Sequence, residues 1–384
     1  MKTLKKTLKY LLIFIAFLVV TLYVFDYDYM LKALRTIYFQ GHTTAYLEDY
    51  KEFDNDTVQA GIRQAWPLHA DYNTIEATET LTDWHERLGT TAFLVLKNDS
   101  IWYEKYFDGF DRNSRSNSFS VAKSMVSAML GKAIMQGRIK SLDQPVGDFF
   151  PEFANGLGAE LTVGDLSSMA SGLKWDEAYY SPFSITTRAY FYDDLKSMML
   201  GLEVVEQPGM SYKYLSGNTQ LLGMVIEKAT GQSLSEYLSE SFWKPMGASA
   251  DAFWQVDSEE NNLEKAYCCL ASNARDFARF GKLYKDHGRW NGEQLLDSAF
   301  VARSVRPRFT ESPQYGYGWW LLNHLNKSFF MMRGHLGQYI IVQPEDNVII
   351  VRLGHKNAKG PDPTVKFSDD IYAYIEEAYK MLSP

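Results

Sequence analysis

Cysteine is nearly absent from this sequence, whose 384 residues include only Cys268 and Cys269. The side chains of neighbouring cysteines on a regular backbone point apart, so we predict two buried thiols and no disulfide. No His-Glu-x-x-His arrangement occurs either, so a structural zinc site is not supported. We therefore expect a protein that binds no metal and needs no other cofactor.

Clusters of basic residues are also missing after the N-terminus. The net charge of −8 argues against a nucleic acid as the partner. Hydrophobic residues make up 46% of the chain and aromatic residues 15%, which is typical of a globular protein with an ample core. At this length the core belongs to one large domain or to two closely packed ones.

A charge-free run follows a basic N-terminal segment. Residues 10–25 carry no charge, and the nine residues before them include four lysines and no acid. As a helix the run spans about 24 Å, slightly less than the hydrocarbon core of a bilayer. Two alternatives are less favoured: a cleaved secretory signal lacks its small-x-small site here, and a buried core helix does not fit the position and one-sided lysines. We predict a cytoplasmic basic segment at 1–9 and an uncleaved transmembrane signal anchor at 10–26. The membrane is then a bacterial inner membrane, and the rest of the chain is periplasmic or otherwise extracytoplasmic.

Strand-like segments at both ends of the remaining chain enclose a helical middle. Residues 27–75 are polar and irregular, which predicts a stalk or a wrapping segment before a domain at 76–384. Strand-like runs on either side of turn residues predict a hairpin over 91–107 and four strands within 317–353. Helical and loop signals dominate at 141–246. The predicted fold class is α+β: an antiparallel sheet flanked by helices, with an inserted all-helical lobe and a ligand cleft between the two parts.

The stretch from Ser118 to Gly131 predicts a buried helix that brings a serine and a lysine together. Ser120 and Lys123 are three residues apart, so both side chains lie on one face of the helix. A serine hydroxyl needs a partner to accept its proton, and a lysine loses basicity when it is partly desolvated near a helix N-terminus. Ser120 is therefore the candidate nucleophile and Lys123 its base.

Two further Ser-x-x-Lys matches lack this context. Residues 171–174 include a glycine and no apolar helix follows them, and residues 241–244 run into Pro245, which ends a helix. A Gly-x-Ser-x-Gly elbow, typical of α/β-hydrolases, does not occur in the chain.

Five motifs occur in the order found in one enzyme superfamily. They are 119–123 (FSVAK), 161–173 (LTVGDLSSMASGL), 214–223 (YLSGNTQLLG), 271–281 (ASNARDFARFG) and 334–338 (GHLGQ). From Thr78 onward the sequence resembles the serine β-lactamase and penicillin-binding-protein superfamily, and it looks closest to class C-like esterases and 6-aminohexanoate-dimer hydrolases. The resemblance implies the β-lactamase/transpeptidase-like fold and an acyl-enzyme formed on Ser120.

The family's second motif is Tyr-x-Asn, and Tyr214 matches its tyrosine. By resemblance, a phenolate or a phenol that shares its proton relays the Ser120 proton to the leaving group. Ser216 stands where the family often has asparagine, so the resemblance makes it a substrate-binding position with a shorter polar side chain.

The family's third motif is Lys-Thr-Gly, and this chain has His335, Leu336 and Gly337 in its place. The resemblance makes His335 and Gly337 substrate-binding positions, the glycine because it permits close backbone approach. It also implies an oxyanion hole formed by the backbone N–H groups of Ser120 and Gln338. A largely neutral histidine gives a substrate carboxylate less help than a lysine does, which favours esters or amides.

We therefore expect a membrane-anchored serine hydrolase that cleaves a small-molecule ester, amide or peptide. One alternative is a D-alanyl-D-alanine carboxypeptidase or β-lactamase, and another is a penicillin-binding or acyl-sensing module with little turnover. Asp176, Tyr179 and Tyr180 follow the 161–173 motif in a segment that rims the cleft in relatives, where they either contact substrate or only pack.

Overall fold

The computed structural model of the chain describes residues 2–360 and 367–383. Its α-helices are α1 (Lys2–Val24), α2 (Tyr29–Ala33), α3 (Glu79–Leu88), α4 (Val121–Met135), α5 (Val163–Ser167), α6 (Ile185–Phe191), α7 (Leu195–Leu200), α8 (Ser216–Thr230), α9 (Leu234–Leu238), α10 (Ala274–Lys285), α11 (Ser298–Ser304) and α12 (Asp369–Leu382). Its strands are β1 (Asn55–Val58), β2 (Thr90–Lys97), β3 (Ser100–Tyr106), β4 (Ser116–Asn117), β5 (Ala252–Gln255), β6 (Leu270–Ser272), β7 (Arg289–Trp290), β8 (Glu293–Gln294), β9 (Trp320–His324), β10 (Lys327–Gly334), β11 (Gln338–Gln343) and β12 (Val348–Gly354).

The larger sheet has six strands from both ends of the domain, in the order β3-β2-β12-β11-β10-β9. Every neighbouring pair is antiparallel. The N-terminal and C-terminal strands meet at the β2–β12 pair, where Val95 is the partner of Ile350. The predicted α+β fold, with one antiparallel sheet built from the two ends of the domain, is confirmed.

Alternate residues of the central strands face two separate hydrophobic cores. Leu94 on β2 belongs to the larger core, which is packed with α4, α8 and α10, and its neighbour Phe93 belongs to the core under α12. This period of two explains why these strands are apolar at nearly every position, since both faces of the sheet are covered. Helix α10 packs on β11 and β12, and α4 packs on β10. The start of α4 therefore lies against the strand that carries the 334–338 motif.

The chain between β3 and β9 holds more than the helices that the sequence indicated. A second sheet of four short strands, in the order β1-β5-β6-β4, was not expected. Its edge strand β1 comes from the segment before the domain, with Thr57 paired to Phe253. Earlier in that segment α2 packs on α6, and Tyr190 Oη donates to Asp49 Oδ2 over 2.7 Å. Residues 29–58 are thus bound along the surface of the domain.

Helix starts in the middle of the chain follow the capping residues of the sequence. Thr162 and Asp165 form a reciprocal capping box at the start of α5. The side chain of Asn273 accepts from the backbone N–H of Asp276 and begins α10.

The two cysteines correct a sequence-based expectation. Cys268 and Cys269 form a disulfide, whereas we predicted two separate thiols. That prediction assumed a regular backbone, but Cys269 has φ of +73°, a left-handed conformation that a regular strand or helix does not contain.

Helix α1 lies outside the packed domain. Its residues Thr3–Val24 are long and apolar enough to cross a membrane, and none of that window is buried. A signal sequence passes the same test of length and composition.

Candidate functional site

Ser120 immediately precedes α4, at the end of a tightly held turn. The N–H of Phe119 donates to Asn117 Oδ1 over 2.9 Å, and Phe119 has φ of +47°, which is unusual for a bulky residue. The end of strand β10 lies very close to this turn. A Cβ placed on Gly334 would lie only 2.3 Å from the main-chain oxygen of Ser118. Only glycine fits at this point, and the close approach fixes Ser120 beside the end of β10.

Lys123 lies one turn further along α4 and has only 3% of its surface exposed. Its Nζ is 2.8 Å from Ser120 Oγ, and it donates to the main-chain oxygen of Tyr267 over 2.8 Å. Burial lowers the pKa of the Lys123 ammonium to about 8, and the negative charge of Glu177 opposes part of that shift. A large fraction of the amine is therefore neutral near pH 8 and can accept a proton.

Tyr214 is the third member of the predicted group, and the structure brings it to the other two. Lys123 Nζ lies 5.1 Å from the centroid of its ring. Burial raises the pKa of the Tyr214 phenol, and a hydrogen bond with Ser120 offsets part of this rise. The phenol is therefore protonated at neutral pH. Its ring packs on Trp320, with a centroid distance of 5.3 Å, so its position is fixed.

Glu177 is a site residue that sequence reasoning missed. Its Oε2 accepts the backbone N–H of Ser216 over 2.8 Å, and its Oε1 accepts the Ser216 hydroxyl. Tyr179 Oη and Trp175 Nε1 also donate to it, over 2.5 Å and 3.0 Å. Ser216 lies at the predicted place, but both its donors are already engaged by the carboxylate. The contact between Glu177 and Ser216 joins residues 39 positions apart, and no local sequence pattern predicts it.

His335 lies beside the turn that precedes Ser120. Its ring is stacked on Tyr179 at a centroid distance of 5.8 Å and meets Phe119 edge-on at 5.6 Å. Burial lowers the pKa of the imidazole to about 4, so His335 is neutral at physiological pH. Its Nε2 is buried and has no hydrogen-bond partner among the described residues. Tyr267, another residue of the cavity lining, likewise has a buried hydroxyl without a hydrogen-bond partner among the described residues.

Gly337 and Gln338 are placed differently from what the resemblance implied. Residues 335–337 form a tight turn between β10 and β11, and neither Gly337 nor Gln338 lines the cavity that contains Ser120. The Gln338 amide donates to the main-chain oxygens of His335 and Gly354, over 3.0 Å and 2.8 Å, and holds the turn. At Gly337, with φ of +84°, a Cβ would lie 2.1 Å from Arg352 Nη1. The residue of this motif that reaches the cavity is His335, because the chain turns one residue after Gly334.

The cavity beside Ser120 has a volume of about 170 Å³. Its lining includes Ser216, Tyr267, Cys268 and His335, with residues from 33–45 and 179–191. Among the residues that the structure describes, no Lys, Arg, Asp or Glu lines it. The described residues also contain no cluster of three or more His, Cys, Asp or Glu that could hold a metal ion. The arrangement can activate a hydroxyl beside an uncharged, largely apolar space.

Known proteins are similar to this chain over most of its length. A family model described as Beta-lactamase matches residues 75–372. The 6-aminohexanoate-dimer hydrolase of Paenarthrobacter ureafaciens is 28% identical over 312 residues, which cover 74% of this chain and 77% of that protein.

Two solved structures show the same fold. A putative 6-aminohexanoate-dimer hydrolase from Bacillus anthracis superposes with a TM-score of 0.72 at 22% identity, covering 86% of this chain and 91% of that one. A family VIII carboxylesterase superposes with a TM-score of 0.59 at 16% identity, covering 79% and 98% of the two chains. The resemblance seen in the sequence is confirmed. The chain belongs to the Beta-lactamase family and is a serine hydrolase of that fold.

Proposed function

We propose that this protein is a membrane-anchored hydrolase that cleaves a carboxylic ester or amide through an acyl-enzyme on Ser120. The observation that carries the proposal is the buried amine of Lys123, 2.8 Å from Ser120 Oγ. A hydroxyl beside an amine with a pKa of about 8 has the partner that nucleophilic attack requires. A serine in an ordinary helix start has no such neighbour.

In the proposed reaction, neutral Lys123 accepts the Ser120 proton while Oγ forms a bond to the substrate carbonyl carbon. The carbonyl π electrons move to oxygen and give a tetrahedral intermediate. Its collapse breaks the bond to the leaving group, which takes a proton from Tyr214, and Lys123 returns a proton to the phenol. Water then attacks the acyl-enzyme by the same route, releasing the acid and restoring Ser120.

The oxyanion needs two N–H donors that have no other acceptor. The N–H of Ser120 makes no hydrogen bond to another described residue, and it lies at the start of α4, where a helix leaves donors free. For the second donor we propose the N–H of His335 in place of that of Gln338. The reason is that His335 lines the cavity with Ser120, and Gln338 does not.

The uncharged lining favours a neutral substrate around the scissile bond. Penicillins and D-alanyl peptides carry a carboxylate that needs a cationic partner. His335 is neutral, since its pKa is about 4, and Glu177 adds a negative charge behind Ser216. We therefore propose an ester or an uncharged amide as the substrate. Two similar proteins, a 6-aminohexanoate-dimer hydrolase and a carboxylesterase, are named for the same type of reaction.

The N-terminal helix supports the anchoring part of the proposal. Helix α1 is unburied along Thr3–Val24, and lysines precede its apolar part. A positive segment before a first apolar helix favours the orientation with that segment in the cytoplasm. We propose that α1 is an uncleaved anchor in a bacterial inner membrane and that the catalytic domain is extracytoplasmic.

A substrate panel on the full chain in detergent tests this function. Short acyl esters, linear amides, D-alanyl peptides and a β-lactam are offered to the protein, to Ser120→Ala and to the control Ser124→Ala. Ser124 is one residue beyond Lys123 and bonds the main-chain oxygen of Gly318, over 2.5 Å, away from the reacting group. We expect ester or amide turnover that only Ser120→Ala abolishes.

Mass spectrometry of the intact protein separates the alternatives. A transient acyl adduct on Ser120 that water removes supports the hydrolase. A persistent adduct without turnover identifies an acyl-sensing module, and release of D-alanine or fast β-lactam hydrolysis identifies the peptidoglycan or β-lactam enzyme. Full turnover by Ser120→Ala contradicts the proposal.

A further inference from the structure

We propose that the cavity beside Ser120 opens at the surface of the bilayer and that the acyl group of its substrate is an apolar chain taken from the membrane. This inference deepens the proposed function and rests on it, because it needs both the serine hydrolase and the anchored α1. It names the substrate class as an ester or amide of a membrane-held acyl chain.

A short tether places the cavity near the membrane. Helix α1 ends at Val24, and three residues later the ring of Tyr27 meets Phe183 edge-on at a centroid distance of 5.8 Å. Tyr29 Oη then donates to the main-chain oxygen of Pro182 over 2.8 Å. Three residues of extended chain span at most about 11 Å, which is comparable to the headgroup layer on one side of a bilayer. The loop at 181–183 therefore lies at the interface when α1 spans the membrane.

The same loop forms part of the cavity wall. Ser181 and Pro182 line the cavity together with Ser120. The end of the cavity at Ser181 and Pro182 therefore lies at the membrane interface, where the loop lies. Residues within 33–45 line it as well, and this segment follows α1 in the chain after only the short helix α2. Two independent segments thus connect the reacting serine to the end of the membrane helix.

Large apolar side chains are exposed around this end of the cavity. We define the apolar rim as six partly or largely exposed side chains: Tyr27, Leu34, Tyr38, Phe39, Tyr180 and Phe183. Phe39, Tyr180 and Phe183 are 74%, 77% and 70% exposed, and Tyr38 and Tyr180 also line the cavity. Tyr27 contacts Phe183, so exposed apolar side chains from two segments of the chain, 27–39 and 180–183, meet near this end of the cavity. Exposed apolar groups mark a binding surface, and aromatic side chains favour the membrane interface.

The chemistry of the cavity fits an apolar chain. The described residues that line it include no charged side chain, and they include Ile37, Phe119 and Phe191. Burial keeps His335 neutral, so nothing in the wall repels hydrocarbon by its charge. A chain that leaves the bilayer between the rim residues passes from one apolar surface to another without crossing water.

The experiment uses the full chain in phosphatidylcholine vesicles. It compares hydrolysis of p-nitrophenyl laurate held in the same vesicles with hydrolysis of p-nitrophenyl acetate in the water phase. The test variant is Phe39→Ser with Phe183→Ser, two rim residues that do not line the cavity. The control variant is Ile62→Ser with Met210→Ser, two exposed apolar residues outside the rim.

We expect the rim variant to lose at least about tenfold of its laurate hydrolysis while its acetate hydrolysis matches that of the parent and of the control. Three results overturn the inference but leave the proposed hydrolase function intact. They are equal laurate hydrolysis by the parent and the rim variant, an equal loss of laurate hydrolysis in the rim and control variants, and a parent protein that prefers the acetate ester. If neither ester is cleaved by the parent protein, the proposed function and this inference fail together.

Discussion

Replacing Lys123 by methionine gives the sharpest test of the buried base. Burial takes the pKa of this amine from 10.5 to about 8. Such a fall disfavours the charged form in the folded protein by about 3 kcal/mol. Two measurements depend on this one number: the pH profile of the reaction and the pH dependence of stability.

The first measurement is kcat/KM for an ester substrate as a function of pH. We expect it to rise through an apparent pKa near 8, because only the neutral amine of Lys123 accepts the Ser120 proton. Lys123→Met should remove this ionisation and lower kcat/KM by about 10²–10⁴-fold. Lys132→Met, on the same helix, is the control, since its Nζ donates to the main-chain oxygen of Leu295 and not to the site.

The second measurement is the free energy of unfolding in denaturant. The folded pKa of Lys123 lies below the value of 10.5 expected for the unfolded chain. Between these two values the unfolded state binds more protons, so the contribution of Lys123 to stability rises with pH. Relative to Lys123→Met, the parent protein should gain about 2 kcal/mol from pH 7 to pH 9.5.

The pH profile of kcat/KM and the pH dependence of stability can together refute the assignment of Lys123 as the base. Stability curves for the parent and Lys123→Met that run parallel from pH 7 to pH 9.5 would show an amine with its ordinary pKa. A rate profile without an ionisation near pH 8 would then exclude Lys123 as the base.

Three further outcomes follow from single contacts. Tyr214→Phe should lower kcat by about 10²–10⁴-fold without a change in the melting temperature, since it removes a proton donor and keeps the ring; an unchanged kcat excludes the relay. Gly334→Ala should reduce both stability and acylation, because its Cβ meets the main-chain oxygen of Ser118 at 2.3 Å, and circular dichroism with burst kinetics measures both effects. Among variants with Cys268→Ala, Cys269→Gly should be more stable in denaturant than Cys269→Ala by about 1 kcal/mol, since φ is +73° there; equal stabilities contradict the left-handed conformation.

The parts of the molecule that could be predicted are those governed by local rules. Ser120 and Lys123 come together because three residues make almost one helical turn, and the apolar residues after them bury that helix. Thr162 and Asp165 are likewise three residues apart and close a capping box. The strands of the main sheet were visible as short apolar runs bounded by turn residues, and short turns set the order of the last ones.

The parts that escaped prediction depend on distant contacts or on unusual backbone angles. Glu177 reaches Ser216 across a loop, and β1 pairs with β5, nearly two hundred residues away, with no periodicity to reveal either. The Cys268–Cys269 disulfide was predicted incorrectly, and the position of Gln338 outside the cavity lining was not foreseen, for a shared reason. In both cases a residue with positive φ, Cys269 or Leu336, changes the direction of the chain, and side-chain pattern does not report φ.

The carbonyl oxygen of Tyr267 has a consequence for how the site responds to mutagenesis. A neutral amine has two hydrogens and one lone pair, and this oxygen holds one of the hydrogens at a fixed angle. It thereby limits where the lone pair of Lys123 can point. Because the acceptor belongs to the main chain, an alanine scan leaves it in place, and replacement of the Tyr267 side chain says nothing about it. The orientation of the Lys123 lone pair is therefore set by a main-chain atom that side-chain substitutions do not remove.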